Sequence, residues 1–129
     1  MAQQTIVSVG PKQLEGILRL PEDAIGLVIF AHGAGSSHLS PRNNHVAEEL
    51  GRRGIATLLF DLLSEEEALD RRNVFDIPLL GGRTVEAVDW AVGQPALADL
   101  PVALFGSSTG AAAALVAAAQ APDRFACVV

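Results

Sequence analysis

The stretch from Val102 to Gly110, Val-Ala-Leu-Phe-Gly-Ser-Ser-Thr-Gly, constrains the fold of this chain more than any other. It joins a short apolar run to an alanine-rich run that continues from Ala111 to Ala121, with G-x-S-x-G at the junction. The pattern predicts a strand, a sharp turn and a helix, with the middle serine, Ser108, at the tip. The flanking glycines remove side chains that would collide where strand and helix converge.

Five further segments have strand character. Thr5 to Val9 and Leu14 to Leu20 flank Gly10-Pro11-Lys12 and predict a hairpin. Gly26 to Ala31 and Ile55 to Phe60 are continuous apolar runs without alternation, the pattern of strands covered on both faces. Between them, Pro41 to Arg53 places Val46, Ala47 and Leu50 on one helical face and ends on Arg52, Arg53 and Gly54. Ser64 to Asn73 is polar, a loop or short surface helix. A second helix is predicted from about Arg83 to Val92, after the punctuation of Pro78 and Gly81-Gly82. Phe125 to Val129 begins another strand.

The resulting order, β-β-β-α-β-α-β-α-β, predicts an α/β fold: a mostly parallel sheet flanked by helices, with an N-terminal hairpin. Ligands bind such sheets at the C-terminal ends of the strands. Two glycine-rich segments fall there, His32-Gly33-Ala34-Gly35-Ser36-Ser37 after Ala31 and the Ser108 turn after Phe105.

With 129 residues the chain suffices for one domain. Half of its residues are apolar, which excludes a disordered composition. A net charge of −6 with one lysine, Lys12, excludes a basic stripe for nucleic acid. No apolar stretch approaches the ~20 residues of a membrane helix, and the start shows no signal-peptide pattern. The single cysteine, Cys127, forms no internal disulfide and is expected to be a buried thiol. These features predict a cytoplasmic protein.

A serine hydroxyl needs a base to take its proton, and the oxyanion formed on attack needs fixed donors. The Thr109 N–H, at a helix N-terminus, supplies one donor, and the Ala34 N–H supplies the other, with Gly33 and Gly35 giving that loop its freedom. Of the histidines, His32 serves as a base or braces its loop, while His38 and His45 flank a helix start and are expected at the surface. Asp61 ends a strand at the edge of the site and either faces the cleft or anchors a loop. Asp76 and Asp89 look structural. The histidine spacing does not make a metal site, and no cofactor is called for.

Phe30-Ala31-His32-Gly33, Leu59-Phe60-Asp61-Leu62 and Leu104-Phe105-Gly106-Ser107-Ser108-Thr109-Gly110 together resemble three landmarks of the α/β-hydrolase superfamily, in its dienelactone-hydrolase-like branch. The resemblance runs from the hairpin to Val129. It implies Ser108 as acyl-accepting nucleophile, Thr109 and Ala34 N–H groups as oxyanion hole, and small esters or lactones as substrates. Members of the superfamily place the triad acid and histidine after the nucleophile. Here 19 residues follow Gly110, and none is histidine. The resemblance therefore implies an N-terminal portion of a hydrolase domain. Its activity is impaired or depends on a homodimer partner or complementing chain covering the apolar edge near Val129. The alternative is a non-catalytic assembly or binding module.

Overall fold

A computed structural model describes residues 3–129. Six strands form one mixed sheet: β1 (Gln3–Val9), β2 (Leu14–Leu20), β3 (Gly26–Ala31), β4 (Ile55–Phe60), β5 (Val102–Gly106) and β6 (Cys127–Val128). Their spatial order is β1-β2-β4-β3-β5-β6. The hairpin joins the sheet antiparallel through β2 and β4, and the other pairs are parallel. The helices are α1 (Pro41–Arg52), α2 (Glu65–Ala68), α3 (Arg71–Val74), α4 (Ile77–Val92) and α5 (Thr109–Gln120). None of them is long and apolar enough to cross a membrane.

The continuous apolar runs fill both faces of the sheet. Leu27, Ile29 and Ala31 of β3, Ala56, Leu58 and Phe60 of β4, and Val102 and Leu104 of β5 share one core with α4 and α5. The alternate residues Val28, Phe30, Leu59 and Phe105 pack with Ala47, Val46 and Leu50 of α1 on the other face. Helix α1 starts where Ser40 caps the Asn43 N–H and Pro41 occupies the first turn.

Helix α4 begins at Ile77, six residues before its expected start near Arg83. Asp76 caps it by accepting from the Leu79 N–H at 3.1 Å. Pro78 then falls in the first turn, where no intrahelical donor is needed. Gly81 marks a close crossing rather than a loop, since a Cβ there would lie 2.7 Å from Val116 Cγ1 of α5. A second correction concerns Cys127, which is exposed. It pairs with Ala103 in register and shares that residue's sheet face. On that face α1 lies over β4 and β2, far from the β6 edge.

The sheet order brings the two glycine-rich segments together. From β3 the chain crosses α1 to β4 on one side, then returns over the other face to β5, so β3 and β5 are neighbours running in parallel. Ala31 is the register partner of Gly106. The loop after one strand and the turn after the other therefore leave the sheet side by side.

Candidate active site

Ser108 occupies φ 57°, ψ −128°, a backbone region that residues with a side chain rarely adopt. It lies at the end of β5 and caps α5, and its side chain is exposed. Two contacts force the turn. A Cβ on Gly106 would approach the Gly110 carbonyl oxygen to 2.4 Å, and one on Gly110 would approach the Ala31 carbonyl oxygen to 1.9 Å. Strand and helix thus meet backbone against backbone, and the residue between them is pushed outward. No side chain caps the N-terminus of α5, and its first turn carries no acidic residue, so the helix dipole is uncompensated beside Ser108.

The loop after β3 lies against this turn. A Cβ on Gly33 would sit 3.1 Å from Ser108 Cβ. The Gly33 carbonyl accepts from His32 Nδ1–H at 3.0 Å and from the Ser36 N–H at 3.1 Å. Because the peptide is trans, fixing that carbonyl turns the Ala34 N–H the opposite way. Among the described residues, neither the Ala34 N–H nor the Thr109 N–H has an acceptor within the chain. Gly35, at φ 77°, gives the loop its left-handed step.

Both ring nitrogens of His32 are engaged. Nδ1–H donates to Gly33, and Nε2 accepts the Leu62 N–H at 3.0 Å. Burial holds its pKa below the ordinary value, against the Gly33 hydrogen bond and the Asp61 charge that favour the cation. The neutral Nδ1–H tautomer fits both partners. In this geometry the ring braces the loop.

His38 was expected at the surface; its exposure is 5%. Asp61 accounts for the difference, since its Oδ1 accepts from the His38 N–H at 2.8 Å and from Nδ1–H at 2.7 Å. Asp61 thus both lines the cleft and anchors the loop. His45 is exposed on α1. Among the described residues no side chain hydrogen-bonds to Ser108 Oγ.

A cavity of about 370 Å³ opens beside these elements. The loop from His32 to Leu39 forms one wall with Thr109, and Leu62, Leu63, Val74 and Leu80 form an apolar wall. Part of that wall depends on an ion pair that sequence reasoning missed. Glu67 of α2 accepts from Arg83 of α4 through both carboxylate oxygens, at 2.8 and 2.6 Å. Arg83 also donates to the Leu62 carbonyl at 3.2 Å, and the N–H of the same residue holds His32. The signal was present in Ser64-Glu65-Glu66-Glu67, a capping box in which Ser64 and Glu67 satisfy each other's backbone.

The Arg83 guanidinium draws the Glu67 carboxyl down from 4.5 to about 2. A depressed carboxyl stabilises the fold fully above its unfolded value, and that stabilisation disappears as pH falls from 4.5 through about 2. Arg83→Met is expected to cost about 2 kcal/mol at neutral pH, less than a fully buried pair because Glu67 keeps contact with water. The urea midpoints of variant and wild type should converge as pH falls through that window. A difference independent of pH would show that Arg83 acts through packing alone.

Comparison with known proteins agrees with this architecture. The family model described as "Alpha/beta hydrolase domain" matches residues 24–129. The chain is 49% identical to a dienelactone hydrolase from Anabaena variabilis, with a TM-score of 0.89 over 99% of this chain and 61% of that one. The α/β-hydrolase GrgF from a Penicillium species shares the fold at 21% identity, with a TM-score of 0.80 over 99% of this chain and 44% of that one. A Mycobacterium tuberculosis protein named as a candidate phosphoribosyl transferase is 54% identical over 118 residues, covering 92% of this chain and 27% of the relative. The chain thus spans about a quarter of that relative and less than two thirds of the cyanobacterial enzyme. On the family match and the sheet that carries it, the chain belongs to the α/β-hydrolase family.

Proposed function

We propose that this chain carries the nucleophile and oxyanion hole of a serine hydrolase acting on carboxylic esters or lactones. The observation that carries the reading is Ser108 at φ 57°, exposed on a turn flanked by the uncommitted N–H groups of Thr109 and Ala34. Ser108 Oγ attacks the carbonyl carbon, and its proton passes to a base. The two N–H groups hold the oxyanion, and the leaving alkoxide departs as the alcohol after taking up that proton. Water then attacks the acyl group and releases the acid and free Ser108.

The base has to come from elsewhere. Both nitrogens of His32 are occupied, and His38, whose Nδ1–H is bound to Asp61, makes no hydrogen bond to Ser108. In this reading a segment outside these residues or a second copy supplies it, against the β6 edge of the sheet. The absence of a hydrogen-bond partner for Ser108 Oγ among the described residues favours, in contrast, a non-catalytic binding module. The transferase name of the mycobacterial relative belongs to a protein matched over 27% of its length. No lysine or arginine lines the cavity here to receive a phosphorylated ribose. The location that suits a single free cysteine is the cytoplasm.

Treatment with a fluorophosphonate followed by peptide mass analysis tests the reading. The expected result is an adduct on the peptide carrying Ser108, and no adduct across a neutral to alkaline range would leave the binding module.

A further inference from the structure

The cavity carries charge of one sign. Glu15, Asp61 and Glu65 line it, and none of its lining residues is lysine or arginine. Glu15 and Asp61 lie side by side where β2 and β4 pair antiparallel, joined by the Asp61 N–H donating to the Glu15 carbonyl at 2.9 Å. Between their carboxylates lies His38, its side chain 6% exposed. Nδ1–H is bound to Asp61, so Nε2 is left facing Glu15 Oε2 at 3.6 Å, beyond hydrogen-bond distance. Ligand atoms of the three residues lie within 4.8 Å of one another. Asp61 Oδ1 already accepts two N–H groups, however, so the cluster presents negative charge rather than a set of open metal ligands.

Two strands across the sheet from Asp61, the β5 side of the cavity has the opposite character. The uncapped N-terminus of α5 lies there, with no acidic side chain in its first turn. Thr109 Oγ1 is buried there without a hydrogen-bond partner. A partial positive charge at the acyl site thus shares one cavity with carboxylates and the apolar side chains of Leu62, Leu63, Val74 and Leu80.

We propose that the site selects esters whose apolar arm ends in a cationic group, a quaternary or protonated amine, and discriminates against esters bearing a carboxylate or phosphate. The reacting carbonyl lies at the helix end and the cation at the carboxylate end. The proposal rests on Ser108 being the nucleophile. The chain's net charge of −6 acts in the same direction, raising the local concentration of cations over anions.

Three phosphonofluoridates of matched size, with arms ending in trimethylammonium, tert-butyl or carboxylate, test it on the full chain. In each, Ser108 Oγ forms a bond to phosphorus, fluoride leaves and the serine proton passes to the same base that the ester reaction uses, and from it to solvent. At low salt the cationic probe is expected to modify Ser108 about tenfold faster than its neutral isostere, with the carboxylate slowest. Added salt should shrink the ratio, and Glu15→Gln, at a side chain 64% exposed, should lower it too. A neutral probe as fast as the cationic one, or a carboxylate probe faster than either, overturns the substrate class and leaves Ser108 in place. Modification by none of the three removes the nucleophile and the substrate class together.

Discussion

Replacing Ser108 by alanine is expected to abolish fluorophosphonate labelling, leaving less than about 1% of the wild-type rate, as loss of a covalent nucleophile requires. Ser107 is exposed as well and is the natural rival. It precedes the cap of α5 and does not share the positive φ, whereas Ser108 stands at the tip with φ 57°. Ser107→Ala should therefore still label. The strained backbone gives a second readout. A side chain at this φ and ψ costs on the order of 1–3 kcal/mol, which a glycine does not incur. Ser108→Ala retains that strain and should leave the thermal midpoint near the wild-type value. Ser108→Gly should raise stability by about 1 kcal/mol while also abolishing the label. Labelling that survives in Ser108→Ala would place the nucleophile elsewhere. A midpoint unmoved in Ser108→Gly would remove the strain argument while leaving the chemistry.

The parts of the fold legible in the sequence were those fixed by local pattern. Strands β3 and β4 fall where continuous apolar runs end, at Ala31 and Phe60. G-x-S-x-G with its flanking runs located the turn, because only glycines fit the contacts at residues 106 and 110. Misreadings came where distant chain decides the environment. His38 looks like a surface residue until Asp61, 23 positions away, closes over it. Cys127 sits in an apolar run, but which face of β6 is covered depends on where α1 lies. Pro78 and Gly81-Gly82 looked like punctuation because a proline in a first turn and a glycine at a helix crossing leave the same local signature as a loop.

Arg83 shows both sides of this. Leu80, Arg83, Thr84, Ala87, Val88 and Ala91 form one buried stripe along α4. An arginine on such a stripe implies a buried acceptor. The spacing can therefore announce that a partner exists, while only the folded chain identifies it as Glu67.

Gly110→Ala is expected to be the most damaging single methyl addition in the chain. Its Cβ would lie 1.9 Å from the Ala31 carbonyl oxygen and 2.6 Å from the His32 carbonyl oxygen. These are backbone atoms at the end of a central strand, so no rotamer change relieves the overlap. Relief requires α5 to move about 1.5 Å away from the sheet to restore ordinary contact distances. That movement would open the seam formed by Ala113, Ala114 and Ala117, all fully buried. It would also draw the Thr109 N–H away from the Ala34 N–H, so labelling of Ser108 should fail in whatever protein still folds. The expected loss is about 4 kcal/mol or more, within the range of the most severe single substitutions. Against a typical domain stability of about 5–15 kcal/mol, much of the folded population is at risk. Gly82→Ala provides the control, since a Cβ there meets nothing within 4 Å and α4 gains a better helix former. It should stabilise by about 0.5–1 kcal/mol. Urea unfolding of the two variants should move the midpoint in opposite directions. A Gly110→Ala protein with a wild-type midpoint would mean that α5 does not meet β3 backbone to backbone, and the oxyanion geometry built on that contact would fall with it.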